Sequence, residues 1–177
     1  MHPLIKCLIY LAAVGLAAFF LGRLLPKDWF SYGEAPFRAF PFERGGKIYE
    51  ALGIRKWKDR LPDMSRILPR LIPSKALPKA TSARQVEAML RETCVAELTH
   101  GLLCILGWGC IKLWKGAGGW VLWALYALGN LPFCMIQRYN RPKLARLLAR
   151  LQAKEHSGKG TQYEQGFDIK LQYGARA

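Results

Sequence analysis

Two apolar runs, residues 101–111 and 120–136, are separated only by the short turn 112–119. That spacing constrains the fold more than any other feature of the chain. Runs of this length, joined by so few residues, pair as an antiparallel helical hairpin whose outer ends meet on the same side. The residues at those ends are polar. Glu92, Glu97 and His100 precede the first run, and Asn130 followed by Gln137-Arg138-Tyr139-Asn140-Arg141-Pro142 closes the second. Any chemistry is expected where these ends come together.

Half of the 177 residues (51%) are hydrophobic, yet the formal net charge is +15. The two hold together because the apolar residues come in runs and the cations lie between them. That pattern belongs to an integral membrane protein with basic flanks. A nucleic-acid binder is equally basic, but three runs of near-spanning length exclude it. The first run, residues 4–25, is long enough to cross a hydrocarbon core of roughly 30 Å. With only Lys6 before its core, and Arg23 and Lys27 at its far end, it reads as an uncleaved anchor with its N-terminus outside. Lys and Arg number 14 in residues 26–95 and 9 in residues 137–177, against 2 in residues 112–119. The positive-inside rule puts both basic regions in the cytoplasm and makes this a multi-pass inner-membrane protein with a cytoplasmic C-terminus.

The expected fold is all-α, with three transmembrane helices at about 4–25, 96–113 and 120–136. A Pro-rich basic segment spans 26–95. After Pro142, Leu144, Leu147, Leu148 and Leu151 alternate with Lys143, Arg146, Arg150 and Lys154. That spacing predicts a separate amphipathic helix over 137–154, lying in the headgroup plane, before a loose tail at 155–177. Within 26–95, six aromatics between Trp29 and Phe42 suit the headgroup layer. A short helix at 47–52 is stopped by Gly53, and Pro69, Pro73 and Pro78 forbid a long helix. Ser82 with Gln85 forms a capping box that starts a helix at Ala83 and carries it to Leu113. Pro132 should kink the third span.

An ionisable pair inside a span is costly to bury and therefore a functional candidate. Glu97 and His100, three residues apart, share a helix face with Thr93 and Cys104. They read either as a general base, His100, oriented by Glu97, or as headgroup-level residues satisfied by Arg or water. Asn130 reads as an interhelical hydrogen bond or as an amide donor to an oxyanion. Arg138 and Arg141 are positive-inside anchors or hold a phosphate or carboxylate. Arg55, Lys56, Trp57 and Lys58 put cations around a Trp, either facing anionic lipid or clamping a donor phosphate. No bound metal is expected, because Glu97-x-x-His100 is half of a di-iron motif and the other spans lack the rest. The cysteines, none in a CxxC pair, read as small hydrophobes.

Four blocks carry a resemblance. They are Phe42-Glu43 with Lys47, then residues 55–58, then Glu92-Thr93 with Ala96-Glu97-Leu98 and His100, and finally Asn130, Pro132 and 137–142 with Leu144. Over about residues 40–150 the chain resembles the glycosyl-4,4'-diaponeurosporenoate acyltransferase family of bacterial carotenoid synthesis. The resemblance implies transfer of a fatty acyl group to a sugar hydroxyl of a glycosylated lipid or carotenoid at the cytoplasmic membrane. It implies an acyl thioester co-substrate (acyl-CoA or acyl carrier protein) and no tightly bound cofactor. On that reading His100, Glu97 and Asn130 are the catalytic candidates. Arg55, Lys56, Trp57, Lys58, Glu92, Gln137, Arg138, Tyr139, Asn140 and Arg141 are the substrate-binding candidates. The expected partners are membrane lipids, the acceptor and other lipid-pathway enzymes, with no nucleic acid. A non-catalytic membrane scaffold for those enzymes is the rival reading.

Overall fold

The structure, a computed structural model, describes residues 1–61 and 81–156. The Pro-rich stretch through Pro69, Pro73 and Pro78 and the tail beyond residue 156 lie outside the described residues. Every regular element described is helical. The α-helices are α1 (Pro3–Leu24), α2 (Lys47–Ala51), α3 (Ile54–Trp57), α4 (Ala83–Leu106), α5 (Gly109–Leu113) and α6 (Ala117–His156). Tight 3-10 turns occupy Lys27–Trp29, Pro41–Gly46 and Lys58–Arg60. Three helical stretches are long and apolar enough to cross a membrane: α1, α4 with α5, and α6. The chain is accordingly a membrane protein.

Most of α1 faces outward, with Leu8, Ile9, Leu16, Phe20 and Leu21 all exposed. That is how a helix looks when lipid is its solvent. Its inner stripe is small: Cys7 and Leu11 pack with Cys110, Tyr10, Trp114 and Tyr126. Ser82 caps α4 through the reciprocal box with Gln85, as its spacing requires. At Gly107 and Trp108 the helix tightens, and i→i+3 bonds such as Cys110 N–H to Gly107 O join α4 to α5. The Leu106 carbonyl at this step accepts a 2.7 Å bond from the Tyr10 hydroxyl. A Cβ on Gly109 would lie 2.5 Å from the Tyr10 ring, and one on Gly107 would lie 2.8 Å from Tyr126. These two glycines therefore let α1 and α6 close on the step. Trp108, Trp120 and Trp123 meet edge to face beside it, with ring centroids 5.1 to 5.8 Å apart.

The structure corrects the expected division between the third span, ending at 136, and a helix over 137–154. Helix α6 runs unbroken for 40 residues through both Pro132 and Pro142. Residues 137–154 are the continuation of α6 and not a separate element. Instead Leu144, Leu147, Leu148 and Leu151 pack against Val86 and Leu90 of α4. Proline costs a helix one hydrogen bond and a steric clash, about 3 kcal/mol or more. Burying this leucine face against α4 offsets that cost. The hairpin thus continues past its apolar part as a packed pair of helices.

The segment between α1 and α4 wraps that pair. Phe30 is buried against Cys94 and Val95, with Phe37 and Tyr32 beside it. Trp29 and Phe42 stay exposed. The aromatic run therefore divides, one part sealing the helix pair and the other facing outward.

Leu148→Ala is expected to cost roughly 2–5 kcal/mol of stability, as truncating a buried leucine does. Thermal unfolding of the detergent-solubilised protein checks this. An unchanged midpoint would return the leucine face to a lipid surface.

Candidate active site

Arg138 and Arg141 are three residues apart on α6 and so project from one face toward α4. There Glu97 receives both. Arg138 Nη1 lies 2.5 Å from Glu97 Oε1, and Arg141 Nη2 lies 2.5 Å from Oε2. Each carboxylate oxygen thus takes one guanidinium. Arg138 also donates from Nε to Glu43 Oε1 and reaches the backbone carbonyls of Pro36 and Arg38. Its guanidinium carbon sits 4.4 Å from the centre of the Phe40 ring. Arg141 donates to Thr93 Oγ1, Thr93 O and Phe37 O. The two arginines therefore pin the 36–43 loop, α4 and α6 together.

Glu43 is the other anchor, at 1% exposure. It lies in the Pro41–Gly46 turn, where Arg44, Gly45 and Gly46 all have positive φ. Gly46, at φ 99°, faces Tyr139, whose ring would lie 3.4 Å from an added Cβ. Glycine supplies both the conformation and the close approach there. Glu43 accepts from the Tyr49 hydroxyl at 2.5 Å and from Phe40 N–H at 2.8 Å. Burial alone would push its carboxyl up. The bonds from Arg138, Tyr49 and Phe40 prevail and hold it below its ordinary value. Burial, reinforced by the adjacent carboxylate, pushes the Tyr49 phenol up.

One helical turn deeper, His100 Nδ1 lies 2.9 Å from Asn130 Oδ1. Asn130 Nδ2 donates to the Tyr126 carbonyl at 2.9 Å, which fixes the amide with its oxygen toward the imidazole. An oxygen at Nδ1 requires a proton there, so the neutral ring carries its lone pair on Nε2. The ring stacks on Phe133, with centroids 4.6 Å apart and planes 12° apart. His100 also lines a cleft of about 260 Å³ between α1 and α4, with Ala18, Phe19, Gly22, Arg23 and Lys27 on one wall and Glu92, Val95, Ala96 and Thr99 on the other.

The structure thus brings His100 together with Asn130, and Glu97 with Arg138 and Arg141. The expected support of His100 by Glu97 gives way to Asn130, because both Glu97 oxygens are held by arginine. Glu92 reaches the cleft and pairs with Lys27 at 2.5 Å. Residues 55–58 do not form one clamp. Arg55 pairs with Glu50 at 2.6 Å and donates to the Tyr139 hydroxyl. Trp57 packs beside Tyr49, Ile54, Ile136 and Tyr139. Lys58 is buried to 2% exposure, and Lys56 alone of the four is a simple exposed cation. Tyr139 is buried, its hydroxyl shared among Arg55, Glu50 and Lys143. Gln137 and Asn140 are buried too, and Asn140 Oδ1 has no hydrogen-bond partner among the described residues.

Sequence reasoning missed Glu43, Tyr49, Phe133, Arg23 and Lys27 as site residues. Glu43 carries a readable signal as the sole acid between Glu34 and Glu50. Two arginines leaving a span need counter-charge, and Glu97 is one carboxylate for both.

A family model described as glycosyl-4,4'-diaponeurosporenoate acyltransferase matches residues 26–150. The match covers the loop, both hairpin helices and every arginine contact described above. The chain belongs to this family of acyltransferases. Relatives bearing the same name occur in Staphylococcus aureus. That of strain Newman is 31% identical over 153 residues, covering 84% of this chain and 89% of the relative. That of strain bovine RF122 / ET3-1 is 31% identical over 147 residues, covering 80% and 86%. That of strain MRSA252 is 30% identical over 149 residues. No solved structure matches.

Glu43→Gln is expected to destabilise the protein by roughly 1–3 kcal/mol near neutral pH, since it takes one of two carboxylates from Arg138, whose bond to Glu97 remains. A carboxylate held below its ordinary pKa contributes stability above that value and loses it as pH falls through the lowered one. The gap in melting temperature between wild type and Glu43→Gln should therefore narrow under acid. A gap that widens there would mean Glu43 is held protonated.

Proposed function

We propose that this protein transfers a fatty acyl group from an acyl thioester to a sugar hydroxyl of a membrane glycolipid. The acceptor class follows the name of its relatives, a glycosylated carotenoid acid. The observation that carries the reading is His100, its Nδ1 held by Asn130, on the wall of a cleft. Nε2 removes the hydroxyl proton as the sugar oxygen attacks the thioester carbonyl. The tetrahedral intermediate collapses, the C–S bond breaks, and the imidazolium returns the proton to the departing thiolate. The products are an ester and a thiol.

Asn130 is a positioning residue in this scheme. Its oxygen holds the ring and one of its N–H groups is spent on Tyr126, so it fixes the tautomer as the third member of a triad does. Glu97, Arg138 and Arg141 hold the hairpin mouth in shape. Each of these side chains is matched to groups of the protein, which supports a structural role over donor binding. The loop segment and the α4–α6 extension would face the cytoplasm, where thioester donors are made, with the N-terminus and the 113–117 turn outside. The surplus of Lys and Arg supports this orientation and the inner membrane as its location.

His100→Gln keeps a polar side chain but cannot take the proton, so acyl transfer should fall by about 10²–10⁴-fold at matched protein levels. Mass spectrometry of the acylated lipid in membranes reads the result. Wild-type turnover by that variant would remove His100 as the base. Asn130→Leu should lower turnover per folded molecule. Glu97→Gln should instead lower the yield of folded protein and spare the turnover of what remains.

The topology has its own test. A reporter after Ala177 should report cytoplasm and one inserted at Gly116 the outside. Identical signals from both would refute the hairpin orientation.

A further inference from the structure

The cations that the sequence put forward for the donor's phosphate are largely spent. Arg138 and Arg141 hold Glu97, Arg55 holds Glu50, and Lys58 is buried. Two others, each with contacts of its own, line the cleft that His100 lines. Arg23 lies at the end of α1, its guanidinium carbon 5.5 Å from the centre of the Phe19 ring. Lys27 lies in the turn that follows, opposite Glu92. Both belong to the cleft lining together with Phe19, Ala96 and Thr99.

The cleft is graded from end to end. From Glu92 at the rim to His100 is eight residues of α4, about 12 Å by helical rise. Charge is concentrated at the rim, and small or apolar side chains line most of the remaining wall. Gly22 lets the two helices approach, since a Cβ there would lie 3.0 Å from Thr99 Oγ1. Ligand pockets are usually about 300–1,000 Å³. At 260 Å³ this one suits a slender arm and not a whole glycolipid.

We infer that the cleft between α1 and α4 is the port for the acyl donor. Arg23 and Lys27 bind the phosphate carried by its pantetheine arm, and the thioester lies at the inner end beside His100. The inference rests on the thioester-dependent transfer proposed above. Both sources of such an arm, coenzyme A and a carrier protein, present a phosphate at its root. Glu92 competes with that phosphate for Lys27, so donor binding must release or turn the Glu92 carboxylate. The consequence is a sign difference: removing Lys27 weakens donor binding, and neutralising Glu92 strengthens it.

The test is binding of hexadecyl-coenzyme A, a thioether that cannot transfer its chain, to the full protein in nanodiscs of zwitterionic lipid. Calorimetry should show Arg23→Gln with Lys27→Gln weakening it by roughly tenfold or more, as loss of charge-assisted contacts does. Glu92→Gln should tighten it. Hexadecyl-pantetheine, which lacks the phosphate, should bind the wild type and the double variant alike. A hexadecyl chain on a phosphopantetheinylated carrier, run in parallel, shows which source the port prefers. No binding of either phosphate-bearing probe to the wild type, or equal binding by the double variant, overturns the inference. So does a Glu92→Gln variant as weak as Lys27→Gln, which would make the pair merely structural. A wild type that binds through these cations yet transfers nothing sinks the reaction and leaves the port. Full turnover with unaltered donor binding in the double variant does the reverse.

Discussion

The fold depends on one carboxylate meeting two guanidinium groups. Glu97 enters from α4, and Arg138 and Arg141 enter from α6. A single acid near the end of an apolar span would be expensive alone, and so would two cations beside it. Together, with Glu43 as second acid and four backbone carbonyls as acceptors, they form a satisfied network. Because three of those carbonyls come from the 36–38 loop, the same contacts fold the loop onto the helices. Removing any member takes a partner from at least one other, so the cluster behaves as one unit.

That network also sets how the site sits relative to the apolar part of the hairpin. His100 lies one helical turn further into the hairpin than Glu97, and Asn130 lies eight residues, about two turns, further in than Arg138. The arginine cluster therefore forms a polar floor from which the hydrogen-bonded pair rises into the apolar part of the hairpin. Phe133 covers the imidazole on one side. The cleft along α1 meets it as well.

Much of the architecture was legible in the residues. Run length placed the three long apolar helices, and Ser82 with Gln85 marked the start of α4. Gly53 marked the end of the short second helix, with φ 69°. What failed was local inference where tertiary packing decides. The leucines after Pro142 read as a helix separate from the third span, yet they have Val86 and Leu90 to cover, and that burial outweighs the bond lost at the proline. The 55–58 cluster reads as a lipid-facing patch or as a clamp, and neither reading shows that Arg55 goes to Glu50, Trp57 packs by Tyr49 and Lys58 is buried. Glu97 and His100 share a face, which made a dyad plausible. Helical spacing says nothing of what a second helix brings, and α6 brings arginines to one and an amide to the other.

The unbroken course of α6 has a mechanical consequence. At 40 residues it is about 60 Å long, roughly twice the thickness of a hydrocarbon core. Asn130 and both arginines ride on this single rod. A thicker or thinner bilayer can be met by tilting the rod as a body, which costs only fractions of a kcal/mol per Å. The spacing between the imidazole's partner and the arginine cluster is then preserved, because both are carried on one helix. Sensitivity to lipid composition should reside in the angle between α6 and α1, the helix that walls the cleft from the other side.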